Sequence, residues 1–487
     1  MREERAAGYF VPAHPAPRSA DFTQLGAVLS GRRDLLANFQ ASDYRAAEFQ
    51  FRILGRQVLI ANSPESVRQV LASPGDAYER KSPQMRRALE PLLGDGLFIS
   101  DGDTWRQRRP FVANLVHKTR MPEFGPLIVA VAEEMALAWT ALPSGQPVDI
   151  SMEMSVLTAQ VISRTVFGVR LDRSLALEVA EGFAEYQERA DSFNVAYFLG
   201  FDEGLPIRRS ARLKRSIRKV HAVVDEVLSG ALERSAKCPH AGVRIADGDE
   251  DILRHEAATL FMAGYETTAN TLAWAWYMLA NAPWAEAALH EEIARVCGDR
   301  PPLFEDLSSL VYSRAVIEET LRLYPPVAYL ARQVMRPGRV GAKQVEPGEL
   351  VVVVPWLLHR SPDLWTQAER FMPERFLGDE RPAAYSYIPF AAGPRICPGM
   401  TLGLSEAILC LAILAQKFTL AMAPGAARVG LAQVPLEIPR RGAVLGGHGP
   451  APMARGVTVI RIPTRGRRVR RLWGSTAAPG AMAKVNF

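Results

Sequence analysis

Only four cysteines occur in 487 residues, Cys238, Cys297, Cys397 and Cys410, at irregular spacing. So low a count excludes a disulfide-stapled fold, and no paired Cys or Cys/His set of zinc spacing is present. A reducing compartment, the cytoplasm, is expected. The first ten residues, Met1 to Phe10, carry charges and no apolar run, so neither a signal peptide nor a membrane anchor is expected. No Gly-x-Gly-x-x-Gly fingerprint is found, which argues against a nucleotide-binding reductase fused to the chain. Gly/Ser linkers, composition breaks and internal repeats are also missing from the middle of the sequence.

What is present describes an ordinary globular chain, with 48% hydrophobic and 23% charged residues. Length alone suggests about three domains, but without linkers one large body is preferred. Helical periodicity runs from Trp105 through Leu321, broken at Pro122, the Pro143–Gly145 turn, the Gly200–Pro206 loop and the Cys238–Asp249 loop. Arg52 to Ile60, around Gly55, predicts a hairpin, and Pro64 to Leu71 a helix. Leu350 to Val354 reads as a buried strand, followed by a Pro/Arg-rich meander over 360–396 and short strands beyond Pro424. The fold class is mainly α with a minor β portion. Residues 1–45, with Pro12, Pro15 and Pro17, are expected to form an extended, loosely held arm. Residues 46–464 form the domain, and 465–487 a basic tail. The net charge is +6, with Arg461, Arg465, Arg467, Arg468, Arg470 and Arg471 clustered near the end. Lacking interleaved aromatics, that cluster reads as a solvated extension, not a nucleic-acid surface.

The most informative stretch is Phe390-Ala-Ala-Gly393-Pro-Arg395-Ile-Cys397-Pro-Gly399. It puts one cysteine just ahead of an apolar helical run, Met400 to Leu414, where unpaired backbone N–H groups lower a thiol pKa. Gly393 and Gly399 admit a close, flat partner, Phe390 can shield the sulfur, and Arg395 can pair with a carboxylate on that partner. A lone thiolate without neighbouring ligands suggests haem over zinc. The plainer reading is a structural cysteine in a tight turn.

The pattern Phe-x-x-Gly-x-Arg-x-Cys-x-Gly resembles the haem-binding loop of the cytochrome P-450 family, the haem-thiolate monooxygenases, and the chain is similar to its soluble bacterial members. Three further motifs support the resemblance. Ala263-Gly264-Tyr265-Glu266-Thr267-Thr268 lies in a proline-free helix, Asp251 to Asn281; Glu266 and Thr267, at i+3 and i+4 from Ala263, are expected on one face. In the family, small residues such as Ala263 and Gly264 face the haem, and the acid and threonine deliver the protons that split the O–O bond. Glu319-Thr-Leu-Arg322 and Arg375, in Phe371-Met-Pro-Glu-Arg375-Phe, resemble the family's buried structural triad. Trp105 and Arg109, at i,i+4, resemble its haem-propionate partners, together with Arg332 and Arg395. Arg106 and Arg108 fall off that face and fit either a docking surface for an acidic electron donor or a solvated face.

The resemblance implies heme b held by the Cys397 thiolate, with O2 and a small-molecule substrate as reactants. Electrons from NAD(P)H would come through a separate ferredoxin or flavodoxin with its reductase. Met85 to Phe98, Leu260, Phe261, Ala263 and Val327 to Leu330 are expected to line a largely apolar distal pocket, so the substrate is lipophilic and the product hydroxylated. The basic run Arg208, Arg209, Arg212, Lys214, Arg215, Arg218, Lys219 reads as a solvated helix face. A monomer is expected, with no nucleic-acid partner. Two other functions remain open: a haem-thiolate peroxygenase or rearranging enzyme, and a haem sensor or ligand carrier without turnover.

Overall fold

Two serines show how local sequence sets the first helices. In the computed structural model, which describes residues 10–18, 36–72, 77–143, 146–189, 198, 210–237, 250–422 and 435–437, the Ser63 hydroxyl accepts from the Ser66 N–H at 3.2 Å and opens helix α1 (Pro64–Leu71). Ser82 does the same for α2 (Pro83–Leu93), accepting from Met85 N–H at 3.3 Å. Each is followed by a proline, whose missing N–H is harmless in the first turn. Further on come α3 (Gly102–Leu115), α4 (Met121–Thr140), α5 (Ile150–Thr165), α6 (Arg173–Arg189) and α7 (Ala211–Lys237). Helices α8 (Glu250–Asn281), α9 (Pro283–Cys297), α10 (Val311–Leu323) and α11 (Met400–Lys417) complete the helical body.

Helix α8 is buried on several faces, from Ala257 through Leu279, and packs against α2, α5, α7, α9, α10 and α11. Helix α11, Leu402 to Ala415, is likewise apolar nearly all round. It is long and apolar enough to cross a membrane, yet it packs on α4, α8, α9 and α10 inside the body. A helix that is hydrophobic all round needs such a surrounding.

The sheet is small. The predicted hairpin is β1 (Glu48–Ile53) and β2 (Arg56–Ala61), turning at Leu54 and Gly55. Between α4 and α5 lies β3 (Pro147–Asp149); then come β4 (Leu330–Gln333), β5 (Gly338–Val340), β6 (Lys343–Val345) and β7 (Leu350–Val353). The valine-rich β7 is buried throughout because it pairs on both edges, parallel to β2 (Ile60 opposite Val352) and antiparallel to β4 (Val351 opposite Arg332). Among the described residues the last strands, β8 (Ala421–Met422) and β9 (Pro435–Glu437), join β3 in a second sheet; a short strand beyond Pro424 is expected from the sequence, its pairing with β3 is not. The mainly α, minor β fold is therefore as expected.

One expectation fails. The described part of the N-terminal arm is not loosely held. Phe371 N–H donates to Phe10 carbonyl at 3.1 Å, Arg18 N–H to Phe39 carbonyl at 2.8 Å, and the Tyr324 hydroxyl to the Ala13 carbonyl. The Phe10 ring sits edge-on to Tyr277 at 6.0 Å, and Leu36, Phe39 and Tyr44 belong to the core. A Pro-rich extended backbone keeps its carbonyls free, and these neighbours use them. The Gly200–Pro206 and Cys238–Asp249 loops, Arg208, Arg209 and the basic tail 465–487 lie outside the described residues.

Candidate active site

The cysteine loop is closed by its own backbone. Cys397 N–H donates to the Phe390 carbonyl at 2.9 Å, and Ile396 N–H to Gly393 carbonyl at 3.0 Å. Gly393 has φ +70° and its Cα lies against the end of α1, where an added Cβ would sit 1.9 Å from the Leu71 carbonyl oxygen. Both facts demand glycine there. The close partner at Gly393 is thus protein backbone, not a ligand, and Gly393 does not line the cavity beside the loop, whereas Phe390, Cys397 and Gly399 do. Burial pushes the Cys397 thiol pKa up; the Gly399 N–H and Arg109 pull the other way and lose. The expected lowering at a helix N-terminus is outweighed by desolvation.

Cations crowd the cavity rim. Lys81, Arg109, Arg332 and Arg395 all line it, as does Trp105. Arg395 donates to Ser100 carbonyl at 3.0 Å and to Asp101 Oδ1 at 3.2 Å, and its guanidinium lies over the Trp105 ring. Arg109 donates to the Ile396 carbonyl. Arg332, held in β4, bridges to Lys81 across the backbone, and Lys81 Nζ lies 4.7 Å over the Phe98 ring. Burial, then repulsion from Arg395, brings Arg332 down to about 10. Burial, then Arg332 and Arg395, holds Lys81 well below the usual lysine range. Asp101 is the carboxylate that opposes them in both cases.

Opposite the loop, α8 supplies Thr259, Leu260, Ala263, Gly264, Thr267, Thr268 and Thr271 to the cavity wall. The Thr267 hydroxyl donates to the Ala263 carbonyl at 2.9 Å, and Thr271 to the Thr267 carbonyl at 2.9 Å. Gly264 also admits Ile162 of α5, whose Cδ1 lies 2.6 Å from where a Cβ would be. Glu266 does not line the cavity. A residue adds about 100° of rotation along a helix, and here that step turns its carboxyl to Gln187 Nε2 on α6, at 3.0 Å, and Asn270 Nδ2, at 3.0 Å. Burial raises its pKa to about 7, and the two amides only partly oppose this.

The sequence profile of the cytochrome P-450 family matches residues 40–430, most of the chain. Two Streptomyces melanosporofaciens proteins are each 31% identical and matched over 77% of this chain and 83% of their own length: cyclooctatin synthase and cyclooctat-9-en-7-ol 5-monooxygenase. The cytokinin hydroxylase of Arabidopsis thaliana is 29% identical over 70% of this chain and 69% of its own.

The chain belongs to the cytochrome P-450 family. It is accordingly a haem-thiolate monooxygenase that hydroxylates a small molecule. The cavity of this P-450 fits haem on its own terms. One thiol faces it from the loop, with Leu260, Ala263 and Gly264 of α8 and Leu402, Gly403 and Ala407 of α11 among its walls. Of the four rim cations, Lys81, Arg332 and Arg395 share Asp101, Arg109 has the Ile396 carbonyl, and Arg395 Nε is buried without a hydrogen-bond partner among the described residues. A dianionic rim would satisfy that excess, since unpaired buried charge is costly.

The structural triad assembles as the resemblance implied. Arg322 grips Glu319 through Nε at 2.7 Å and Nη2 at 2.8 Å, both fully buried, while Arg375 Nε reaches Glu319 Oε1 at 3.1 Å. Arg322 Nη1 also donates to the His359 and Ala368 carbonyls, at 2.8 and 2.7 Å. His359 is held neutral by burial, its pKa down at about 3, and its Nε2 accepts from Ile388 N–H at 2.9 Å. The triad thereby fixes the meander that leads into the P-450 cysteine loop.

Several other expectations need correction. Phe261 faces away from the cavity, fully buried against Phe167 and Tyr265, and Ala328 is buried outside the wall. Met85, Leu97, Phe98, Leu260, Ala263, Val327 and Leu330 do line it. Arg108 is not on a docking surface; it turns inward to Glu256 at 3.2 Å. Arg106 is paired with Asp103 and Glu79. Arg212, Lys214, Arg215 and Arg218 are exposed, a solvated face as read. Sequence reasoning missed Lys81. Its one signal was a lysine directly before the Ser82-Pro83 helix start, in a stretch where Arg80, Arg86 and Arg87 look equivalent.

Proposed function

We propose that this P-450 hydroxylates a neutral, lipophilic small molecule, with Cys397 as the thiolate that would hold the haem iron. The observation that carries the reading is that Cys397 and Thr267 open onto one cavity from opposite elements, α11's loop and α8. Uncharged side chains, Met85, Leu97, Phe98, Leu260 and Val327, surround the space beside Thr267, which suits a substrate with few hydrogen-bonding groups. The 5-monooxygenase relative, named for cyclooctat-9-en-7-ol, supports a cyclic, unsaturated alcohol.

When bound, the haem supplies oxygen activation at iron. The chain's own residues do the rest. Lys81, Trp105, Arg109, Arg332 and Arg395 would hold the acidic edge of the haem and exclude water there. The Thr267 hydroxyl, now bonded to Ala263 carbonyl, can instead hold a proton donor over the reacting centre. Glu266, near neutrality in its own pKa, resupplies that proton. Ala263 and Gly264 would face the flat group from α8. Glu319, Arg322 and Arg375 keep the loop in register.

Electrons come from NAD(P)H through a separate ferredoxin or flavodoxin with its reductase, and the protein works as a soluble, cytoplasmic monomer. The test is reconstitution with ferredoxin, ferredoxin reductase and a library of lipophilic small molecules. Hydroxylation of a library member, with one O2 and one NADH consumed and one water released per product, together with a thiolate-type CO spectrum lost in Cys397→Ser, is the expected result. Turnover with peroxide alone, or ligand binding without product, would replace this reading with the peroxygenase or the carrier.

A further inference from the structure

The Glu266 carboxyl is the one member of the proposed proton set that stops short of the cavity, and two amides hold it there. Its Oε1 accepts from Asn270, one turn along the same helix, and from Gln187 on α6. Only the second is a tertiary restraint. Resting on the monooxygenase reading above, we propose that Gln187 is the positioning residue of the proton relay: it parks the Glu266 carboxyl on α6, and proton delivery toward Thr267 requires that hydrogen bond to break.

The chemistry of the restraint suits a group that must move. Neutral amide donors hold a carboxyl far more weakly than a guanidinium or ammonium does, and no charged side chain contributes to the Glu266 pKa. From α5 the side chains on this stretch are Thr158, which donates to the Tyr265 carbonyl at 2.8 Å, and Ile162. From α6 come Gln187 and Phe183, whose ring meets Tyr265 edge-on at 5.9 Å. Tyr265 is the titratable neighbour, and burial keeps it a neutral phenol. With burial dominant, both forms of Glu266 are populated near pH 7. The restraint is also wired to the substrate wall. Tyr186, beside Gln187, donates its hydroxyl to the Ala88 carbonyl on α2, and α2 carries Met85 into the cavity. A shift of α2 against its occupant is thus transmitted to the helix that holds the acid.

The experiment is an infrared difference titration of the resting, haem-loaded protein, with the Glu266 band identified by its loss in Glu266→Gln. Removing a donor to the charged form should raise the carboxyl midpoint in Gln187→Leu, by about one pH unit. The pH profile of coupling (product formed per NADH consumed) should move alkaline by the same amount, with KM for substrate unchanged. Thr267→Ala should uncouple without moving the midpoint. Gln187→Asn, too short to reach, should behave as Gln187→Leu and serves if the leucine variant folds poorly. A midpoint that stays at the wild-type value in both variants overturns the proposal, as does a shifted midpoint with an unmoved coupling profile. Should wild type form no product, the monooxygenase reading falls instead, while the midpoint still decides whether Gln187 restrains the acid.

Discussion

The guanidinium of Arg395 lies 4.5 Å from the centre of the Trp105 indole. One residue belongs to the cysteine loop and the other to α3, 290 positions earlier in the chain (395 − 105). The contact fastens the loop to the rim before any ligand is considered, and it aims two donors at the same edge of the cavity. Trp105 and Arg395 therefore act as a pair, and their loss should not be additive.

Lys81 gives the sharpest test of the rim. It is 8% exposed and faces Arg332 and Arg395. Lys81→Met should stabilise the haem-free protein, because it removes a buried repulsion, and should weaken haem retention about 10- to 100-fold, as expected for loss of a charged hydrogen bond. Urea melts of the apoprotein and haem transfer to apomyoglobin measure the two halves. Haem retention that is unchanged or improved would show that Lys81 does not serve the propionates.

Thr267→Ala should retain haem and substrate binding yet spend NADH on peroxide, lowering product yield about 100-fold or more, in line with loss of a proton-transfer group. Oxygen-electrode and product measurements on one sample suffice. Unaltered coupling would remove Thr267 from the relay.

Glu319→Ala leaves Arg322 without its partner in a fully buried site. A loss of about 3–5 kcal/mol is expected, as for other broken buried pairs. Lost haem loading should accompany it, since the loop loses its support. Thermal denaturation with and without haem checks both.

His359 predicts acid sensitivity. Its folded pKa of about 3 lies below the ordinary 6.5, so below pH 6.5 the unfolded chain takes up a proton that the folded one refuses. Stability is fully present above pH 6.5 and should fall by about 1.4 kcal/mol per pH unit as the pH drops toward 3. His359→Gln offers Ile388 an acceptor that does not titrate, and should flatten that part of the profile. Identical slopes in both proteins would assign the acid loss to other groups.

The cysteine loop and the Glu319–Arg322 and Trp105–Arg109 pairs were legible because each is carried by residues close in sequence. A tight turn or a single helical face fixes how such residues sit. Arg375, far from Glu319 in the chain, was named only through the resemblance to the family. Lys81 was not legible, since only the pairing of its backbone with Arg332 brings it to the rim. The direction taken by Glu266 was equally hidden. Spacing from Ala263 placed it near Thr267, but Gln187 on a separate helix decides which way its carboxyl turns. The same reason accounts for Phe261: periodicity names the helix, and packing of α5 and α6 chooses its inner face.

The walls of the cavity are drawn from Lys81 through Ala407, and β7 closes onto β2 only after nearly three hundred intervening residues. On the ribosome, then, no complete porphyrin site exists until Ala407 has emerged. Cofactor capture is a late event in the life of each molecule, and a nascent chain halted before Cys397 should collapse around α8 yet take up no pigment.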